Sequence, residues 1–199
     1  MKMFGKYDME GIEIRDPSLK HVISFESPVV HTFGRHSKRP LAKMKINVVE
    51  RLVNKLMRGG TGEKTSGKVI RTHGRLQGKK LRVLNAVEKA FAIIEGRTNK
   101  NPVQVLIDAL ENSAPREDVT RVSYGGVSYQ IAVDVSATRR IDLALRNMAL
   151  SALMRTFNKP TSLAESLAQE VIYTANKDVQ NSYAIKKRDE IERMARSAR

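Results

Sequence analysis

The sequence predicts a mainly α-helical protein, a bundle of about six helices with one protruding β-hairpin. Two patterns carry this prediction: apolar residues recur at helical spacing in six segments, and residues 118–135 switch to the period of two that is typical of strands. A third observation concerns size. The chain has 199 residues, of which 41% are hydrophobic, and this is enough to bury one core of ordinary size.

The six helices are predicted from apolar spacing and from capping residues. Five of them cover residues 45–57, 79–95, 138–157, 163–178 and 184–197. The sixth begins after Asn101, a capping residue followed by Pro102 at the first helical position. Ser162 and Glu165 have the spacing of a capping box. We expect Gly96 to end the helix over residues 79–95.

The hairpin is predicted from a two-residue turn, Gly125-Gly126, between β-rich arms. With this turn, the apolar and aromatic side chains fall on one face and the polar ones on the other. The pairs on the apolar face are Tyr124 with Val127, Val122 with Tyr129, and Thr120 with Ile131. An isolated hairpin is only marginally stable in water, so this one must lean on the helices or on a partner.

The positive charge is concentrated in one part of the chain. Lys and Arg number 36 against 21 Asp and Glu, a net charge of +15. Residues 31–82 hold 15 basic and 2 acidic groups, and residues 184–199 hold 6 and 3. The rest of the chain is nearly neutral. This predicts a polyanionic partner, because cations that meet phosphates release condensed counterions.

The same distribution predicts the domain organisation. We expect an N-terminal extension over residues 1–40, partly ordered and basic at its end. Residues 41–199 then form a helical domain that carries a basic, glycine-rich loop at 59–78 and the hairpin at 118–135. Paired Arg139 and Arg140 at a helix start oppose the helix dipole, so another group must offset their charge.

The sequence argues against an enzyme, a metal site and a membrane span. Gly62 to Lys68 has the spacing of a phosphate-binding loop, but Val69 stands where a hydroxyl must hold Mg²⁺. The chain has no Cys, and its four His lack metal-site spacing. No apolar stretch reaches 18 residues, and residues 1–10 lack the apolar region of a signal peptide. We expect a cytoplasmic protein with no cofactor and no small-molecule substrate.

An ordered series of motifs resembles one known family. The series is Asn101 to Val105, Glu111 to Asp118, Gly125-Gly126 with Tyr129-Gln130, and Arg139 to Ala144. It is similar to small-subunit ribosomal protein family seven from about residue 41 to the end. Ser182 to Glu190 and Met3 to Tyr7 resemble its archaeal and eukaryotic branch.

The resemblance implies a helical protein bound in the head of the small ribosomal subunit. The family binds the 3′ major domain of small-subunit rRNA and nucleates assembly of the head. Its hairpin lies near the exit-site tRNA and the mRNA exit path, and its neighbours are other head and platform proteins. By position, Lys79-Lys80 match an rRNA-contacting segment of the family, Arg139-Arg140 its paired arginines, and Lys186 to Arg188 its basic tail.

The predicted rRNA-binding side chains are all cationic. They are Arg35, Lys38, Arg39, Lys43, Lys64, Lys68, Arg71, Arg75, Lys79, Lys80, Arg82, Arg116, Arg121, Arg139, Arg140, Lys186, Lys187 and Arg188. Two departures from the family weaken parts of this set: the hairpin lacks the Arg-rich arm of bacterial relatives, and the loop at 59–78 is longer than in many members. A free-standing nucleic-acid-binding or regulatory protein is the alternative, and a basic run can also be a solvated surface segment.

Overall fold

A computed structural model describes residues 2–25, 31–59, 64–65, 68–69, 76–157 and 159–199. The α-helices within these ranges are α1 (Pro17–Lys20), α2 (Val48–Leu56), α3 (Lys80–Thr98), α4 (Pro102–Ser113), α5 (Ala137–Thr156), α6 (Leu163–Ala175) and α7 (Tyr183–Ser197). The strands are β1 (Lys2–Met3), β2 (Tyr7–Asp8), β3 (Lys64–Thr65), β4 (Lys68–Val69), β5 (Glu117–Tyr124) and β6 (Val127–Asp134). Two 3₁₀ turns cover Arg35–Lys38 and Ala42–Lys45.

The predicted fold class is confirmed: the protein is mainly α-helical, with a hairpin formed by β5 and β6. The predicted hairpin register is also confirmed, with Tyr124 opposite Val127 and Val122 opposite Tyr129. The capping prediction for α4 is correct as well. The side chain of Asn101 accepts a hydrogen bond of 3.0 Å from the backbone N–H of Val103.

One helix end was predicted wrongly, and one short helix was not predicted. Gly96 does not end α3, which continues to Thr98, because an exposed glycine inside a helix is tolerated at a cost of only about 1 kcal/mol. The helix ends instead at Asn99, whose φ of 52° lies in the left-handed region. The short helix α1 was not predicted. Asp16 caps it by accepting from the backbone N–H of Ser18, and Pro17 occupies its first position.

The core is built by α2 to α6 and is joined by residues from the N-terminal segment. Met3, Leu19 and Val22 are buried in the same cluster as Phe91 of α3. The rings of Phe4 and Tyr7 both pack edge-to-face against Phe91, each with a centroid distance of 6.0 Å. Residues 2–25 of the predicted extension are therefore packed against the helices. The division at residue 40 stays a prediction.

The region predicted as a basic loop, residues 59–78, contains described residues at both ends and two short strands. β3 and β4 pair antiparallel, with Thr65 opposite Lys68, a feature that the glycine content did not predict. Gly59 is buried, and a Cβ there would lie 2.8 Å from a methyl carbon of Leu153. This close approach to α5 explains why residue 59 is a glycine.

The hairpin projects from the body and is held at its base. The backbone N–H of Arg116 donates to Glu192 of α7 at 3.1 Å, and Arg199 forms an ion pair with Glu117. Away from the base, both residues of every pair predicted for the apolar face are exposed. Of the large apolar residues among them, Tyr124 is the most exposed, at 83%. The helices thus support the start of the hairpin and leave its apolar face uncovered.

Candidate nucleic-acid interface

Cations from α2 and from the segment before it converge on one carboxylate of α5, that of Asp142. We call this group the Asp142 cluster; its members are Lys43, Arg51, Lys55, Arg58, Arg146 and Asp142. Lys43 forms an ion pair with Asp142, Arg51 Nη2 lies 3.2 Å from Asp142 Oδ1, and Lys55 Nζ lies 4.0 Å from the same oxygen. Arg58 and Arg146 are close enough to act electrostatically on Lys55.

The pKa shifts of the Asp142 cluster show an excess of positive charge. Burial lowers the pKa of Lys55, and the charges of Lys43, Arg58 and Arg146 lower it further, while Asp142 opposes them. Burial alone would raise the pKa of Asp142. The hydrogen bond from Lys43 and the positive charges of Lys55 and Arg51 outweigh burial and hold that pKa below its ordinary value. Three cations on one carboxylate, with two more near Lys55, form a site that attracts phosphate.

A second basic surface lies at the start of α3. Lys79, the residue before the helix, and Arg82 in its first turn are exposed. Lys80 differs, because its ammonium lies 2.5 Å from Glu50, whose carboxylate is buried. Burial would raise the pKa of Glu50, but hydrogen bonds from Lys80 and Thr32 lower it below its ordinary value. Lys80 thus neutralises a buried acid, and Lys79 and Arg82 face solvent.

The paired arginines at the start of α5 have different environments. Arg140 is 7% exposed, and its guanidinium donates to Asp16 at 2.8 Å, to Ser18 and to the carbonyl of Pro115 at 3.2 Å. These acceptors offset the unfavourable interaction between the positive charge of Arg140 and the helix dipole. Arg139 is exposed and lies 3.2 Å from Asp118 at the base of the hairpin. Of the pair, Arg139 is the one that an RNA could reach in this conformation.

The basic tail makes contacts within the protein. Lys186 donates to the carbonyl of Gln180 at 2.6 Å, and Lys187 lies 2.5 Å from Glu190, which raises the pKa of Lys187. Arg188 donates to the carbonyl of Asn112 and to Asp189. Such contacts with exposed or half-exposed groups are weak, so they leave these cations able to exchange partners.

The remaining predicted residues fall into two sets. Side chains in the first set are exposed to solvent: Lys38, Arg39, Arg116 and Arg121. In the second set, Arg71 and Arg75 lie outside the described residues, as do the side chains of Arg35, Lys64 and Lys68. The backbone of Arg35 begins a 3₁₀ turn, and Lys64 and Lys68 lie on β3 and β4.

Sequence reasoning missed four of the five cations of the Asp142 cluster, and Asp142 itself. Arg51, Lys55 and Arg58 recur at intervals of four and three residues, a helical spacing that could have indicated one cationic face. Arg146 follows Asp142 by four residues and gave the matching signal on α5. The meeting of the two faces depends on how α2 packs against α5, and no local pattern contains that information.

Within the described ranges, no three His, Cys, Asp or Glu side chains are grouped so that they could hold a metal ion. A search of the same residues finds no helix with the length and apolarity that crossing a membrane requires.

Comparison with known proteins gives one consistent answer. The family described as Ribosomal protein S7p/S5e matches residues 20–199. "Small ribosomal subunit protein uS7" of Methanococcus maripaludis strain C7 is 48% identical over 200 residues, covering 100% of this chain and 99% of that protein. The protein of the same name from Methanococcus aeolicus is 46% identical with the same coverage. These relatives are archaeal, as the predicted archaeal and eukaryotic branch requires. The chain therefore belongs to the ribosomal protein S7p/S5e family, a family of structural proteins rather than enzymes.

Proposed function

We propose that this protein is a structural constituent of the small ribosomal subunit that binds small-subunit rRNA through its cationic surfaces. The observation that carries the proposal is the Asp142 cluster, where three cations contact one carboxylate and two more act electrostatically on Lys55. Full-length similarity to proteins named for the small ribosomal subunit supports the identity of the polyanion. The exposed cations Lys79 and Arg82 extend the surface along the start of α3.

The finer assignment concerns the position in the subunit. We propose binding to the 3′ major domain of the rRNA, nucleation of head assembly, and contacts with other head and platform proteins in cytoplasmic ribosomes. The hairpin then lies near the exit-site tRNA and the mRNA exit path. Support comes from the ordered motifs from Asn101 to Glu190 and from the uncovered apolar face of the hairpin, which requires a neighbour.

The mechanism we propose is electrostatic positioning on a rigid frame. Phosphate contacts fix where the protein sits, and the shape of the folded RNA determines which site fits. The frame is rigid because α2 and α5, which carry the Asp142 cluster, are tied together by the contact between Arg51 and Asp142 and are buried in the common core. The cations are therefore largely preorganised, so less conformational entropy is lost when the RNA binds.

The test is a binding series with two RNA fragments of equal length. One is the 3′ major domain of small-subunit rRNA and the other a different domain of the same rRNA. We expect tight binding to the first, weakening steeply as salt is raised, and weaker binding to the second. Equal affinity for both fragments, or an affinity insensitive to salt, contradicts the proposal.

A free-standing regulatory protein that binds nucleic acid is the alternative function. Sedimentation distinguishes the two: a ribosomal constituent migrates with small subunits in stoichiometric amount, and a regulator remains mainly in the unbound fraction. The high identity over the full length of the relatives favours the ribosomal constituent.

A further inference from the structure

A groove of about 730 Å³ lies between the segment after α1 and the second 3₁₀ turn. Its size is within the range of about 300–1,000 Å³ that is usual for ligand clefts. It lies outside the Asp142 cluster and was not predicted from the sequence. The residues that line it are Lys20, His21, Ile23, Ser24, Phe25, Arg39, Pro40, Leu41, Ala42, Met44 and Lys45.

The groove has a cationic rim and an apolar interior. Lys20, Arg39 and Lys45 are exposed along it, and none of the described lining residues carries a carboxylate. The interior contains Phe25 and Met44, both half-buried. A ligand that matches this surface has an anionic part for the rim and a flat, apolar part for the interior.

The two walls are held together before any ligand binds. Ser24 forms a parallel bridge with Asn47, and its carbonyl accepts from the backbone N–H of Val48 at 3.3 Å. The opposite wall is a turn in which the N–H of Met44 donates to the carbonyl of Leu41 at 3.0 Å. The groove is thus a preformed feature of the backbone.

Leu41 stands at the edge of the groove in a conformation that leucine rarely adopts. Its φ is 59°, in the left-handed region, and its side chain is 70% exposed. Asn or Gly would take this backbone conformation with less strain. Because Leu41 is exposed, burial of its side chain in the core does not offset the cost of the strain. A strained, exposed apolar side chain beside a cleft is explained if the side chain contacts something that occupies the cleft.

We propose that this groove binds one unpaired nucleotide of the rRNA, with its base against Phe25 and Met44 and the flanking phosphates on Arg39, Lys45 and Lys20. This inference rests on the proposed function, because that function supplies the polyanion. An unstacked base has the flat apolar face that the interior fits, and base stacking on aromatic side chains is a common mode of RNA recognition. A base inside a paired helix cannot enter, so the site selects a loop, a bulge or a strand end.

The experiment uses the full chain in complex with the 3′ major domain RNA and two chemical probes. A hydroxyl-radical probe reports protection of the RNA backbone, and base-specific alkylating reagents report access to unpaired bases. Phe25→Leu removes the ring but keeps an apolar side chain, and Phe25→Tyr is the matched control that keeps the ring. Arg39→Gln removes one exposed rim charge and leaves the core untouched.

The wild type and Phe25→Tyr should protect the same unpaired base, and Phe25→Leu should expose it and weaken RNA binding about fivefold or more. Arg39→Gln should reduce protection of the adjoining backbone positions. The remaining backbone footprint should persist in both variants, which shows that they are folded and bound. If the footprint forms but the base reactivities are identical in the wild type and Phe25→Leu, the nucleotide site is refuted. This is the result expected if the groove binds an acidic protein segment instead of a nucleotide. If the wild type leaves no footprint, the proposed function fails as well.

Discussion

Arg140 donates a hydrogen bond of 2.8 Å to Asp16 across 124 positions of sequence, and this contact ties the start of α5 to the cap of α1. The same carboxylate accepts from the backbone N–H and the hydroxyl of Ser18 through its other oxygen. One aspartate thus caps a short helix and neutralises a buried guanidinium. The pair explains why Arg140 can be buried at the start of a helix whose dipole disfavours a positive charge.

Asp16→Asn should destabilise the protein by about 2 kcal/mol. The carboxylate oxygen that accepts a hydrogen bond from Arg140 would be replaced by an amide group, which carries no charge and whose nitrogen is a donor. Urea unfolding measures the change. Glu13→Gln is the control, since the Glu13 side chain is exposed and its replacement should leave the midpoint unaltered. Equal midpoints for Asp16→Asn and the wild type would contradict the structural role assigned to the pair.

Stability should fall on acidification. Burial raises the pKa of Asp16, but hydrogen bonds from Ser18 and Arg140 lower it below 3.8, and the pKa of Glu50 is held below 4.5 in a similar way. A carboxyl group whose pKa is depressed by folding contributes stability above its unfolded pKa and loses it as the pH falls through its folded pKa. The free energy of unfolding should be nearly constant above about pH 5 and decrease below about pH 4.

Urea unfolding at successive pH values measures this dependence. The variant Asp16→Asn should show a shallower decrease than the wild type, because one of the depressed carboxyl groups is missing. A decrease of the same steepness in both proteins would show that Asp16 does not take part.

Glu170→Gln should destabilise the protein by about 3 kcal/mol. The carboxylate is fully buried and accepts from Ser151 at 2.7 Å, from Arg155 at 3.1 Å, and from Ser182 and the backbone N–H of Ala184 at 3.0 Å each. The Glu170 carboxylate joins α5 and α6 to the start of α7. In the glutamine variant, an NH₂ group would replace one accepting oxygen and would face N–H and O–H donors without an acceptor. Unfolding measurements give the loss, and hydrogen exchange should locate it at Ala184.

The control for this substitution is Glu88→Gln. Glu88 forms an exposed ion pair with Lys6 at 3.5 Å, and losing it should change stability by less than about 0.5 kcal/mol. Comparable losses from the two variants would rule out a special role for the buried carboxylate.

The Asp142 cluster should determine part of the salt dependence of RNA binding. Replacing Lys55 and Arg146 together by Gln should reduce the slope of log affinity against log salt by about 1.5, because two fewer phosphates are neutralised. In the control variant, Lys100 and Arg193 are both replaced by Gln. These two residues are exposed and lie outside the cluster, so the slope should stay closer to the wild-type value. If both pairs alter the slope equally, binding depends on net charge and not on this surface.

Local patterns in the sequence predicted the helices and the hairpin register, because capping and alternation act over a few residues. Asn101 capped its helix as expected, and Tyr124 faced Val127. The candidate site was harder to predict. Charge counting cannot distinguish exposed Arg139 from buried Arg140, since the difference depends on Asp16, which is distant in sequence. For the same reason the meeting of Arg51 with Asp142 became visible only in three dimensions.

The hairpin should become covered when the protein enters the small subunit. Its exposed apolar face has two tyrosines, Tyr124 and Tyr129, which face solvent in the isolated chain. A contiguous apolar face of this kind on a marginal hairpin is usual for a surface that meets a neighbour. Nitration followed by mass spectrometry should modify both tyrosines in the free protein and neither in purified subunits.

Tyr7 gives the internal reference for this measurement, because it is buried against Phe91 and should resist nitration in both states. Tyr124→Thr should change the free energy of unfolding by less than about 0.5 kcal/mol, since its side chain is mostly exposed in the free protein. A weaker incorporation of this variant into subunits would then come from the lost contact and not from unfolding. Equal nitration of Tyr124 in the free and assembled protein would show that the hairpin face stays in solvent, and it would remove the support that this face gives to the proposed position.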